Sequence, residues 1–181
     1  ALSIRENIEP REIASTPKRI RDVQRTLLRQ GTLIWPWHDV KPDEPFFEAA
    51  NLLTISGIWR ADQDNVFFKP DQVVTRRELA GALVRLIRSL PEAPSWPKTS
   101  AKSSFTDVPQ NAGDHLLIEA MIAWGEFGNQ PSTFQPDGLV SWGTLNRWLA
   151  ALKLPTFKTL VHGNVKDHPL TRGECVDYLN R

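Results

Sequence analysis

The chain has 181 residues, enough for one compact domain or a short array of repeats. Its 22 lysines and arginines nearly cancel its 21 aspartates and glutamates, so no overall field draws it to nucleic acid. A single cysteine, Cys175, excludes an intrachain disulfide framework and a thiolate zinc site, and no apolar run reaches the roughly 18 residues of a membrane span.

Residues 1–37 read as an N-terminal extension and helix. The opening Ala1-Leu2-Ser3 carries no initiator Met and no charged or apolar leader, so the chain reads as part of a longer or processed protein, with any targeting signal upstream. Residues 1–15 lack apolar periodicity and are expected to run extended. Thr16-Pro17 then opens an amphipathic helix over residues 18–30, with Ile20, Val23, Leu27 and Leu28 on one face and Gly31 as its stop. The basic cluster of Lys18, Arg19, Arg21, Arg25 and Arg29 reads as the solvated side of that helix.

An internal repeat follows. Asp39-Val40, the helical run from Phe47 to Leu53, Gly57, Phe68-Lys69-Pro70-Asp71 and Thr75 recur in order. Their counterparts are Asp107-Val108, the run from Leu117 to Ile122, Gly125, Phe134-Gln135-Pro136-Asp137 and Ser141. The offset is 68 residues from Asp39 to Asp107 and 66 from Phe68 to Phe134, so the loop between loses two residues. Each copy reads as helix, loop, helix. The first copy spans residues 38–90, the second 105–154, and the Pro- and Ser-rich stretch 91–104 links them.

In the first copy Pro45 suits an early helical position, Phe46, Ala49, Ala50 and Leu53 fall at helical spacing, and Gly57 supplies a left-handed stop. The second helix places Leu79, Leu83, Ile87 and Leu90 on one face, with Arg77, Arg85 and Arg88 turned away. Thr75-Arg76-Arg77-Glu78 is a capping box, in which hydroxyl and carboxylate each satisfy the other's backbone N–H. In the second copy Ser141-Trp142-Gly143-Thr144 keeps the capping hydroxyl and loses the Glu. Residues 155–181 form a partial third copy, whose Thr171-Arg172-Gly173-Glu174 repeats the box without a helix before it. The expected partner of this last helix is the amphipathic helix at residues 18–30. Helix starts are expected near Thr16, Pro45, Thr75, Asp114, Ser141 and Leu170.

No dinucleotide, P-loop, nucleophile-elbow or zinc-protease motif occurs, and the chain reads as non-catalytic. The histidines His38, His115, His162 and His168 lack metal-ligand spacing and read as surface or turn residues. Asp62-Gln63-Asp64-Asn65 lacks the Gly and distal Glu of a calcium loop and reads as a polar turn. Of the seven tryptophans most read as core, with Trp148 beside Leu145, Leu149 and Leu152 on one helical face.

Phe105-Thr106-Asp107-Val108-Pro109, Ile118-Glu119-Ala120, Gly125, Thr133-Phe134-Gln135-Pro136-Asp137 and the Thr75 box together resemble the S-layer homology (SLH) repeat, over roughly residues 38–181. The resemblance implies a mainly α fold: a pseudo-threefold helical bundle of helix-loop-helix repeats, with the second helices central and grooves between units. It also implies an interaction module of the cell envelope, outside the cytoplasm, whose partner is a cell-wall polysaccharide or a domain of the parent protein. Carried over by position, the arginines meeting acidic groups of the polysaccharide are Arg76 and Arg172, with Trp142 in the corresponding place of the second copy. The family's Trp in its first-helix motif is missing; Phe46-Phe47 and His115-Leu116 stand nearby.

Physical chemistry points to the same arginines, because a guanidinium at a helix N-terminus adds to the backbone N–H groups facing an anion. The candidate ligand-binding set is therefore Arg76, Arg172, Thr75, Glu78, Thr171, Glu174 and Trp142. A second resemblance lies upstream: Ile8-Glu9-Pro10-Arg11-Glu12-Ile13 and the stretch from Val23 to Gly31 look like the C-terminal tail of bacterial FAD-dependent oxidoreductases. It implies a catalytic domain before this chain, with FAD in the parent protein and no cofactor in the present residues.

Overall fold

The computed structural model describes residues 37–41, 43–60, 67–97, 103–128, 131–156 and 168–180. Among them are five helices: α1 (Phe47–Ile55), α2 (Arg76–Arg88), α3 (His115–Trp124), α4 (Trp142–Ala151) and α5 (Arg172–Leu179). The β pairing among the described residues consists of isolated bridges, among them Thr75 with Leu139 and Ser141 with Pro169. The protein is thus mainly α, and each described helix begins within two residues of its expected start. The helix at residues 18–30, the segment resembling an oxidoreductase tail, the turn at residues 62–65 and His162 lie outside the described residues. No described helix is long and apolar enough to cross a membrane.

The chain divides into two compact units, one drawn from Ala1–Gln72, Arg85–Ala93 and Thr171–Arg181, the other from Val73–Val84 and Pro94–Leu170. In the first unit α1 buries Phe47, Ala49, Ala50, Leu52 and Leu53 and packs against α5. A helix of eight residues does not persist alone in water. α5 is held through its buried Cys175 and Val176 and through Gly173, where a Cβ would press on the Phe46 ring at 3.0 Å. Among the described residues the helical partner of α5 is α1; the partner expected from the sequence, residues 18–30, lies outside them. Gly57 ends α1 in the left-handed region, at φ +72, while Ser56 and Gly57 donate back to Leu52 and Thr54.

Residues Leu79 to Val84 of α2 are buried without a break, so that stretch is covered on every side and its polar face is confined to the ends. Arg77 and Arg88 are exposed as expected. Arg85 is not turned away: it is half-buried and donates to the Ile58 carbonyl at 3.1 Å. Burial, with the charge of Arg60 adding to it, pushes its pKa down to about 10. Leu90 lies past the helix end and is exposed.

In the second unit α3 buries Ile118, Ala120 and Met121, and α4 buries Leu145, Trp148 and Leu149. Gly125 stops α3 with an extended backbone, and its glycine identity has a steric cause: a Cβ there would run into the Phe127 ring. The residues just before the three second helices, Val74, Val140 and Leu170, close a circuit. Val74 N–H donates to Leu170, Leu170 N–H to Val140 and Val140 N–H to Val74, each at 2.8 Å. All three residues are buried, and the circuit satisfies the backbone N–H of each away from water.

Candidate functional site

The site rests on a loop device that occurs twice. Asp39 accepts from the N–H groups of Phe68 and Lys69 at 2.7 and 2.6 Å, and Asp107 from those of Phe134 and Gln135 at 2.7 Å each. Lys69 and Gln135 both stand at positive φ, 56 and 57, a conformation that costs a residue with a Cβ and that the carboxylate clamp holds in place. Phe68 and Phe134 are thereby turned into the core. Partial burial pushes the Asp107 carboxyl up, but the N–H groups of Phe134, Gln135 and its own residue, and then Arg76, outweigh that and hold it below the usual carboxylate range.

Each loop also receives a helix start. The N–H groups of Arg76 and Arg77 donate to Gly138 and Pro136, and those of Arg172 and Gly173 to Gln72 and Pro70, all at 2.9 Å. Both capping boxes are formed. Thr75 N–H donates to Glu78 at 2.8 Å and Thr171 N–H to Glu174 at 2.9 Å, with the hydroxyls accepting from Glu78 N–H and Glu174 N–H at 3.4 and 3.3 Å. Ser141 caps α4 by accepting from Thr144 N–H at 3.3 Å. These bonds use the first amides of α2 and α5, so the expected help of free helix N–H groups to a bound anion does not arise. Thr75, Glu78, Thr171 and Glu174 instead fix where the arginine side chains leave the helices.

The two arginines then part ways. The guanidinium carbon of Arg76 lies 5.0 Å from the Phe134 ring centre and 5.2 Å from that of Trp148, a double cation–π arrangement. Its Nε is buried with no hydrogen-bond partner among the described residues. Gly138 leaves room for it, since a Cβ there would stand 3.1 Å from the Arg76 Cδ. Desolvation lowers the Arg76 pKa, the charge of Arg147 lowers it further, and Asp107 offsets part of the shift. Arg172 points its Nη1 at the Phe68 carbonyl, 3.0 Å away. In the second copy Trp142 donates its backbone N–H to His168 and sets its ring edge-on to the imidazole, 6.1 Å between centres.

Sequence reasoning missed Arg147 and undervalued Trp148. Counting back by the repeat offset, their counterparts are Gly81 and Ala82, so the repeat carried no signal for either. The trace that was available is local: Arg147 stands three residues after Thr144, whose hydroxyl accepts from its Nη2 at 3.1 Å. Another correction concerns His115. It is buried, with Nε2 3.7 Å from Glu119. Glu119 also receives Ser104 N–H and the Ser103 and Ser104 hydroxyls, which anchors the end of the linker on α3. His38 and His168 are exposed as expected. No group of three or more metal-ligating side chains occurs among the described residues.

Compared with protein-family models, curated proteins and solved structures, the chain matched none.

Proposed function

We propose that this chain is a non-catalytic, SLH-like binding module of the cell envelope, and that its ligand is a cell-wall polysaccharide whose acidic group is received by Arg76. In this reading the three second-helix starts are related by a pseudo-threefold arrangement, supported by the closed circuit of Val74, Val140 and Leu170. The observation that carries the ligand assignment is the Arg76 guanidinium, which Phe134 and Trp148 support on a dry aromatic floor. Such a cation is partly desolvated and already oriented, so an incoming anion meets little water to displace and little side-chain entropy to remove. Arg172 already spends a donor on a backbone carbonyl and is the secondary contact.

Co-sedimentation of the purified protein with cell-wall polymer tests the reading. The wild type is expected to be retained, and Arg76→Ala to lose at least tenfold in retention with its melting temperature almost unchanged. A wild type that stays in the supernatant at low salt refutes the proposal.

A further inference from the structure

We propose that Gly138 is a positioning residue of the binding site: lacking a Cβ, it lets Arg76 lie down against the 134–138 loop and so seats the guanidinium on its aromatic floor. The inference rests on the binding reading above and adds to it a residue that acts through Arg76 rather than on the ligand.

The backbone at this position does not call for glycine. Among the described residues the glycines at positive φ are Gly57 and Gly128, and Gly138 is not one of them. The same turn occurs in the first copy with Gln72 in that place. Gln72 N–H donates to Lys69 at 3.0 Å, as Gly138 N–H does to Gln135 at 2.9 Å, and Lys69 and Gln135 share one conformation, φ 56 and 57. Each residue also offers its carbonyl to the first N–H of a helix, Gln72 to Arg172 and Gly138 to Arg76, both at 2.9 Å. The turn therefore accepts a side chain without losing a bond.

What a side chain would meet at Gly138 is Arg76. A Cβ there would stand 3.0 Å from the Gln135 carbonyl oxygen and 3.1 Å from the Arg76 Cδ. The first copy closes the same turn around the Cβ of Gln72, so the oxygen has room to give. The Arg76 side chain has little, because its guanidinium carbon is placed 5.0 and 5.2 Å from the Phe134 and Trp148 ring centres. Cδ is separated from that carbon by Nε alone, so a push on Cδ is passed to the cation and weakens its contact with both rings. Nε makes no hydrogen bond among the described residues, so packing, together with the charge of Asp107, holds the guanidinium in place. Asp107 also fixes the floor and the turn from below by accepting the N–H groups of Phe134 and Gln135. Where the turn carries a Cβ, at Gln72, the arginine of the docked helix instead gives its Nη1 to the Phe68 carbonyl, 3.0 Å away.

NMR reads the position of Arg76 directly, with no ligand present. Side-chain protons held over two rings carry an upfield ring-current shift, which a displaced side chain loses. Gly138→Gln, which copies the first-copy turn, is expected to move the Arg76 protons downfield and to weaken retention on cell-wall polymer roughly tenfold. Gly138→Ala adds the Cβ alone, is expected to fall between, and carries the test where the glutamine variant does not fold. Unmoved Arg76 protons in the Gly138 variants overturn the proposal. Retention separates it from the binding reading. If Arg76→Ala abolishes retention, while the Gly138 variants displace Arg76 and are retained like the wild type, the positioning role fails and the binding reading stands. If the wild type is not retained and the Gly138 variants displace Arg76, the wall ligand is refuted and Gly138 still positions the arginine.

Discussion

The loop at Phe68 and the loop at Phe134 are the same object in the backbone and different objects in their side chains. In each, an aspartate clamps two successive N–H groups, the second clamped residue takes positive φ, and the loop carbonyls receive the first amides of a helix that begins with an arginine near its cap. Around the first loop that arginine, Arg172, donates to a carbonyl. Around the second, Arg76 lies on two aromatic rings and interacts with the charge of Asp107. A repeated backbone fixes where a cation emerges, and the neighbouring side chains decide whether it meets a carbonyl or an aromatic floor.

The largest expected effect tests whether the two loops matter equally to the fold. Phe68→Ala and Phe134→Ala each empty a fully enclosed site, and each is expected to lose about 3–5 kcal/mol in urea unfolding. A loss under about 1 kcal/mol at Phe68 would mean that the loops are alike in outline only. Next come the clamps. Asp39→Ala and Asp107→Ala each release two N–H groups, at a cost of roughly 1.5–3 kcal/mol, toward the lower end because both clamps reach solvent.

Asp107 adds a pH signature. Its pKa is depressed in the folded protein, so its stabilisation is complete above the unfolded value of about 3.9 and is lost as pH falls through the folded one. Asp107→Asn is expected to flatten that part of the acid limb in urea midpoints measured from pH 6 to pH 2. An unchanged acid limb would show that the clamp does not depend on the carboxylate charge.

The capping boxes should differ least between the two clusters. Thr75→Ala and Thr171→Ala are each expected to cost about 1 kcal/mol, since the hydroxyl bonds that they break have matching lengths. The smallest effect is the most discriminating. Arg172→Ala is expected to lose about 0.5–1 kcal/mol with its carbonyl bond, whereas Arg76→Ala stays within about 0.5 kcal/mol of wild type, because lost ring contact is offset by relief of a desolvated charge. Equal losses, read by thermal and urea melts together, would erase the energetic distinction between the two arginine environments.

Much of the helical skeleton was legible in the sequence. The cap and box residues Thr75, Ser141 and Thr171, the stop at Gly57 and the paired landmarks Asp39–Phe68 and Asp107–Phe134 all act where the sequence placed them. Of the site, Arg76 and Arg172 were legible as positions and not as environments. The buried flank of Arg85, the enclosed His115 and the aromatic floor under Arg76 carried no periodic trace.

The division has a physical cause. A cap, a glycine stop or a helical phase is settled by atoms within one or two turns, so residue types at short spacing determine it. Which loop each helix start docks on is settled by packing between segments far apart in the chain: α2 takes the second copy's loop and α5 the first copy's, the latter with Arg172 reaching Phe68 across 104 residues. Spacing within a repeat is the same whichever copy lies next to which. Only the tertiary structure chose the neighbours, and with them what each arginine packs on.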